Sequence, residues 1–218
     1  MKIKRASTTP IYPKTNLSST DHATYYHKKW FGFIEDDKHG FQKQKTADNH
    51  VEIPLWIKWS HRSVGDNHCM VCLSLDSCWF NILNKPFWPI HPKCHCLLEP
   101  VDTLTVATRA KAICQYAKLD PYLFDPAGVY GHGKNTLFES WGYSITDSEW
   151  LKAEFEKQAR EKYIAGEYSL SKLDMWGQRI NIRITIPRRD KIGTVSFETG
   201  WLVRPNGQIT LNTPYGGN

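Results

Sequence analysis

No apolar run in the 218 residues approaches the roughly 20 needed to cross a bilayer, and the opening MKIKRASTTPIYPK has basic residues with no apolar core behind them. These two absences predict a protein that is neither inserted in a membrane nor exported by the ordinary route. Internal repeats and low-complexity tracts are also lacking. A large charge excess of one sign is missing too: the net charge of +6 is spread over the chain, which permits a polyanionic partner without requiring one. Histidine almost vanishes after residue 100. His132 alone remains, which excludes a two-histidine acid/base pair in that half and leaves Lys, Arg, Tyr or Thr as its partner in any proton transfer.

What is present is unevenly placed. Eight of nine histidines and five of six cysteines fall in residues 1–100, while regular helix and strand patterns fall almost entirely after Pro100. The expected layout is an irregular N-terminal arm over 1–50, a Cys/His segment over 51–101 and an α+β domain over 102–218. Clustering of cysteine beside histidine, without an export signal, favours a reducing compartment and a metal over disulfides.

The strongest local signal is Cys69-x-x-Cys72 followed by His91-Pro-Lys-Cys94-His95-Cys96. Zinc takes four soft or borderline donors in a tetrahedron, and two close pairs separated by a loop supply them from two tight turns. Cys69 and Cys72 form the first pair, and two of His91, Cys94 and Cys96 complete the site, Cys94 with His91 or Cys96 being preferred. A catalytic zinc would want a carboxylate base nearby, and only Asp66 and Asp76 lie close to the first pair, so a structural Zn2+ is expected. The plainer alternative makes Cys69, Cys72 and Cys78 small core residues beside Trp79 and Phe80. Upstream, VEIPLWIKW from Val51 to Trp59 alternates around a proline and reads as an edge strand.

Beyond Pro100, Val106, Ala110, Ile113 and Ala117 form a stripe that predicts a helix over Thr103–Lys118, ended by Asp120 and Pro121. A short helix is expected over Lys134–Trp141, stopped by Gly142. A third follows a capping-box spacing at Thr146 and Glu149, with Leu151, Phe155, Ala159 and Tyr163 on one face as far as Gly166. The period then changes to two. Isoleucines 180, 182, 184 and 186 share one strand face, opposite Arg179, Asn181, Arg183 and Thr185. Val195, Phe197, Thr199, Trp201 and Val203 share another; Pro205, Asn206 and Gly207 make a turn, and Gln208–Thr213 is a last strand. Helices followed by an antiparallel meander of three or four strands give an α+β fold, with the helices on one sheet face.

Candidate chemistry in this half is a polar face with Arg179 and Arg183, the run Gly131-His132-Gly133-Lys134, and hydroxyls at Thr199, Thr213 and Tyr215. Arginine pairs phosphate bidentately, and a basic or hydroxyl group beside a ribose helps its 2′-OH attack phosphorus without a metal. Each residue also has a plainer role: the arginines as a solvated strand face, His132 as a loop residue, the threonines as strand formers, Lys134 as an exposed helix start.

Two resemblances follow from these residues. Asp66-x-x-Cys69-x-x-Cys72-x-x-Leu75, then Pro89-Ile90-His91-Pro92-Lys93-Cys94-His95-Cys96 and Glu99-Pro100-Val101, resembles the C-terminal segment of phage Mu F-like minor head proteins over residues 55–101. The long helical region that normally precedes it is missing here. The elements Gly131-x-Gly133-Lys134 with Phe138, and Thr199 with Trp201, within residues 112–217, look like a C-terminal domain of bacterial and phage toxin-like proteins. That group is similar to the barnase, EndoU, colicin and RelE class of ribonucleases. The resemblance implies metal-independent cleavage of RNA through the ribose 2′-OH, with His132, Lys134 and Thr199 carried over as catalytic residues. Arg183 and Tyr215 are added from the strand-face reading. Implied partners are RNA, phage head or portal proteins and an immunity protein; implied locations are the bacterial cytoplasm or the virion. The non-enzymatic alternative is a virion-associated protein, and a further one is a zinc-stabilised nucleic-acid-binding module using Trp56, Trp59, Trp79 and Trp88.

Overall fold

A computed structural model of the chain describes residues 55–62, 69–125 and 133–214. The expected arm over 1–50 lies outside them. The chain divides after Val51, and residues from Glu52 onward form one compact unit.

Strand β1 (Trp56–Ser60) pairs antiparallel with β2 (Trp79–Asn81) on one side and with β3 (Leu97–Val101) on the other. The segment expected at a sheet edge is therefore a central strand. Trp56, Ile57 and Trp59 are buried on both of its faces, which a central strand in a packed lobe requires. Helix α1 (Met70–Ser74) sits between β1 and β2 in sequence and carries Cys72.

Helix α2 covers only Thr103–Arg109, capped by the Asp102 carboxylate, which accepts from Thr105 N at 2.8 Å. The long helix expected to Lys118 breaks at Ala110. Lys111–Ile113 instead forms β4, parallel to the last strand, and Tyr116–Lys118 is a 3-10 turn. Tertiary partners account for the break: the Arg160 guanidinium takes the carbonyls of Ala107 and Ala110, and the Glu156 carboxylate accepts from Cys114 N. Val106 and Ala110 are buried as the stripe requires, but Ala117 is exposed.

Helix α3 (Lys134–Glu139) ends two residues earlier than expected, and α4 (Ser148–Ala165) ends at left-handed Gly166 as expected. The capping box lies at Ser144 and Asp147, heading a 3-10 turn that leads into α4, two residues before the predicted pair. Leu151, Phe155, Ala159 and Tyr163 are buried as a stripe.

Strands β5 (Ser169–Asp174), β6 (Gly177–Pro187), β7 (Thr194–Arg204) and β8 (Gln208–Thr213) form an antiparallel meander. With β4 added at the β8 edge, the sheet order is β4-β8-β7-β6-β5. The fold is α+β as predicted; the parallel fifth strand is the departure. All four isoleucines of β6 are fully buried, each contributing roughly 1.5–3 kcal/mol of hydrophobic stabilisation.

The two sheets share one core across the Val101/Asp102 boundary. Cys78 bridges Pro205, Asn206 N donates to Ser77 O at 2.8 Å, and Tyr163 OH donates to Trp79 O at 2.6 Å. Pro205, Asn206 and Gly207 connect β7 to β8, and Asn206 and Gly207 both have positive φ, the conformation that favours asparagine and glycine in tight turns. Any Cβ at Gly207 would lie 2.5 Å from the Trp79 ring, so glycine is required there twice over.

Candidate metal centre and polar sheet face

Residue spacing on two turns builds the Cys/His cluster. Cys69 caps α1, and the helical turn after it sets Cys72 beside it, with Leu73 N donating to Cys69 O at 2.9 Å. A second turn, in which Cys94 N donates to His91 O at 3.1 Å and Lys93 has φ 64°, gathers His91 and Cys94. Donor atoms of Cys69, Cys72 and His91 lie within 4.8 Å of one another, as do those of Cys72, Cys94 and Cys96. All five predicted ligands are thus brought together.

The cysteines are free, and their spacing is compatible with a shared metal ion. Cys72 Sγ and Cys94 Sγ are 3.7 Å apart, far beyond an S–S bond of about 2.05 Å. Two thiolates on one tetrahedral zinc, with Zn–S bonds of about 2.3 Å, stand roughly 3.8 Å apart. Cys72 Sγ is 3.2 Å from His91 Nε2, while His91 Nδ1 is 2.8 Å from Pro92 O. With Nδ1–H donated to that carbonyl, Nε2 faces the sulfurs as a free lone pair.

Sequence reasoning did not foresee a histidine that lies beside the cluster. His61 Nδ1 is 3.7 Å from Cys96 Sγ, and its backbone N–H is held by the Asp76 carboxylate at 2.8 Å. Strand register explains its arrival: Ser60 pairs with Leu97, so the residues just beyond, His61 and Cys96, meet. A pairing between strands so far apart leaves no mark on local spacing. Cys78 and Cys114 stand apart from the cluster as core residues, their thiols pushed up to about 12 mainly by burial. Asp66 lies outside the described residues.

The cluster's electrostatics are those of thiols sharing too few protons. A hydrogen bond with Cys96 leads the effects that bring Cys94 down to about 5, and the same contact pushes Cys96 up. Burial pushes Cys72 up to about 12. Burial opposes the thiolate at Cys69, but hydrogen bonds from the Cys72 and Val71 backbone outweigh it and lower the thiol. The contact with Pro92 O raises His91. A divalent cation replaces such protons, since its ligands must be deprotonated.

Among the described residues, the predicted catalytic residues Thr199 and Arg183 fall on opposite faces of the sheet. Thr199 is fully buried; its hydroxyl donates to Ile182 O at 2.8 Å and accepts from Trp201 Nε1 at 2.7 Å. That makes it a core strand residue. Arg183 lies on the opposite, exposed face, in register with Glu198. His132 and Tyr215 lie outside the described residues. Lys134 has the most informative surroundings: its ammonium donates to Thr213 Oγ1 at 2.9 Å and to Tyr122 OH at 3.4 Å. Lys118 lies over the same Tyr122 ring, 5.4 Å from its centroid, and Lys134 is 5.5 Å from it. Tyr122 and Lys118 were not foreseen, because only the break of the predicted helix places them there.

Register extends this group across the sheet. Thr213 pairs with Gly200, which pairs with Asn181, one row from Arg183 and Glu198. A Cβ at Gly200 would lie 2.9 Å from Thr213 Cγ2, so the Thr213 methyl packs directly over this glycine. Of the tryptophans considered for base stacking, Trp56, Trp59 and Trp79 are buried in the core and offer no stacking surface.

The fold and cluster define an α+β protein with a Cys/His site able to hold a metal ion. Residues 106–216 match the family described as a domain of unknown function (DUF6883), and the chain belongs to that family. No curated protein and no solved structure matches the chain. Among the described residues no helix is long and apolar enough to cross a membrane.

Proposed function

We propose that the chain is a phage- or prophage-associated, toxin-like protein with a structural zinc in its Cys/His lobe and a ribonuclease-type C-terminal domain. The observation that carries the nuclease reading is the convergence of Lys134 and Lys118 on Tyr122, Lys134 also donating to Thr213 Oγ1 and Lys118 to Asn212 O, at the end of a strand face that also bears Asn181 and Arg183. Two ammonium groups and a guanidinium on one polar face suit a phosphodiester. In the reaction, the ribose 2′-oxygen attacks the adjacent phosphorus as its proton passes to a base. The bond from phosphorus to the 5′-oxygen breaks, that oxygen takes a proton, and a 2′,3′-cyclic phosphate remains. Lys134 and Arg183 would hold the phosphoryl charge, and His132 would carry a proton. Tyr215 is a further proton-transfer candidate. The buried hydroxyl of Thr199 is left out of this chemistry.

Zinc, when bound, supplies cross-linking between the turn at Cys69–Cys72 and the turn at His91–Cys96; RNA chemistry is not routed through it. Partners under this reading are RNA and an immunity protein, in the bacterial cytoplasm or carried in a virion. One observation favours a second, non-enzymatic reading, a head-associated protein contacting phage head or portal components: of the predicted catalytic residues among those described, Thr199 is buried in the core, on the sheet face away from Arg183.

Expression of the full chain in a bacterial host separates the two. The nuclease reading expects growth arrest with RNA fragments ending in cyclic phosphate, relieved by Lys134→Ala and Arg183→Ala at equal protein level. Intact RNA and normal growth, with co-purification of capsid or portal proteins, would replace it by the second reading.

A further inference from the structure

Tyr122 stands in a tight turn just after the 3-10 segment Tyr116–Lys118. Its backbone N–H donates to Ala117 O at 3.3 Å, and those of Leu123 and Phe124 both donate to Leu119 O at 3.0 Å. Leu119, Leu123 and Phe124 are buried, so they anchor the turn while Tyr122 itself stays half-buried. Two ammonium groups reach its ring, Lys118 at 5.4 Å and Lys134 at 5.5 Å from the centroid. Both are tied to the end of β8: Lys118 donates to Asn212 O at 3.0 Å, and Lys134 donates to Thr213 Oγ1 at 2.9 Å. Lys134 also donates to the Tyr122 hydroxyl at 3.4 Å. None of the ion pairs among the described residues involves either lysine. The phenol oxygen thus accepts from an ammonium, keeps its own proton to give, and sits beside two positive charges.

We propose that Tyr122 is the proton donor to the leaving 5′-oxygen, an inference that deepens the ribonuclease reading above and rests on it. In the step, the 2′-oxygen forms its bond to phosphorus as its own proton passes to the base. The bond from phosphorus to the 5′-oxygen breaks with its electron pair on that oxygen, which takes the phenol proton. Tyr122 is left as a phenolate and recovers a proton from water. Negative charge moves onto the phenol oxygen as the proton departs, and charge that develops beside cations already held in place is stabilised in the transition state. Other groups fit this role less well. His132 is the one histidine after residue 100, arginine does not release its proton, and Thr199 is buried in the core.

Ordinary RNA and an analogue with sulfur in place of the 5′-oxygen isolate this role, because a thiolate leaves without being protonated. The purified full chain should cleave both. Tyr122→Phe keeps the ring and should slow cleavage of ordinary RNA by roughly 10²–10⁴-fold, while cleaving the sulfur analogue at the wild-type rate. Turnover retained on the analogue shows at the same time that the variant is folded. Equal loss on both substrates by a folded variant would make Tyr122 a positioning residue, and an unchanged rate on ordinary RNA would remove it from the reaction. Either result overturns the proposal and leaves the ribonuclease reading standing, whereas a wild-type chain that cleaves neither substrate overturns both. Where Tyr122→Phe fails to fold, a fluorotyrosine at position 122 decides instead, since it keeps the contacts with a more acidic phenol. It should change the rate on ordinary RNA alone, and any other pattern would overturn the assignment.

Discussion

Residues 55–101 and residues 102–214 reach order by different means. The first stretch has strands of five, three and five residues, too short to bury a large face, and it concentrates five cysteine and histidine donors on two turns. The second has two eleven-residue strands whose inner faces meet the stripe of an eighteen-residue helix. Both stretches contribute to one shared core, and the first adds to it a Cys/His cluster able to hold a metal ion.

Metal removal should break this contrast most severely. Structural zinc contributes an apparent ~10–16 kcal/mol in small zinc-finger peptides, so chelation should disorder the Cys/His lobe. The sheet should lose stability as well, because Trp79 and Cys78 pack on its β7–β8 turn. Amide exchange and thermal unfolding, with and without chelator, would show both effects; an unchanged melting temperature would contradict them. The pH dependence has a definite sign. Cys72, at about 12, must give up its proton when metal binds. Affinity should therefore rise with pH, and calorimetry in buffers of different ionisation enthalpy should detect proton release.

The remaining predictions concern packing and surface. Ile184→Ala removes a fully buried side chain from β6 and should cost about 2–5 kcal/mol in urea unfolding, with zinc content unchanged. Thr199→Val strands the Trp201 indole N–H without its acceptor and should cost about 1–3 kcal/mol. Any RNA cleavage per folded molecule should survive that change; a selective loss of turnover would return Thr199 to the chemistry. Smallest is Lys58→Ala, which removes a half-exposed ion pair with Glu99 and should cost no more than about 1 kcal/mol.

Legibility in the sequence followed the range of the interactions. The ligand turns, the α4 stripe and the isoleucine alternation are set by neighbours within a few residues, and all were readable. His61 comes to lie beside the cluster through strand pairing, and β4 exists only because β8 offers it an edge, so neither left a local signature. The stripe at Val106, Ala110, Ile113 and Ala117 fits a helix as well as the mixed path the chain takes; Arg160 and Glu156, far along the sequence, decide between them. Thr199 shares its strand face with Val195, Phe197, Trp201 and Val203, so its burial was legible from the alternation, while the resemblance alone carried it over as catalytic.

The β4–β8 pairing also sets an order of events. During synthesis Lys111–Ile113 emerges from the ribosome long before Gln208–Thr213 exists to receive it. Until then the segment has only its local preference, which is helical. The sheet is completed when the end of the chain captures a stretch near the domain's beginning, a closure over a long loop and hence a slow one.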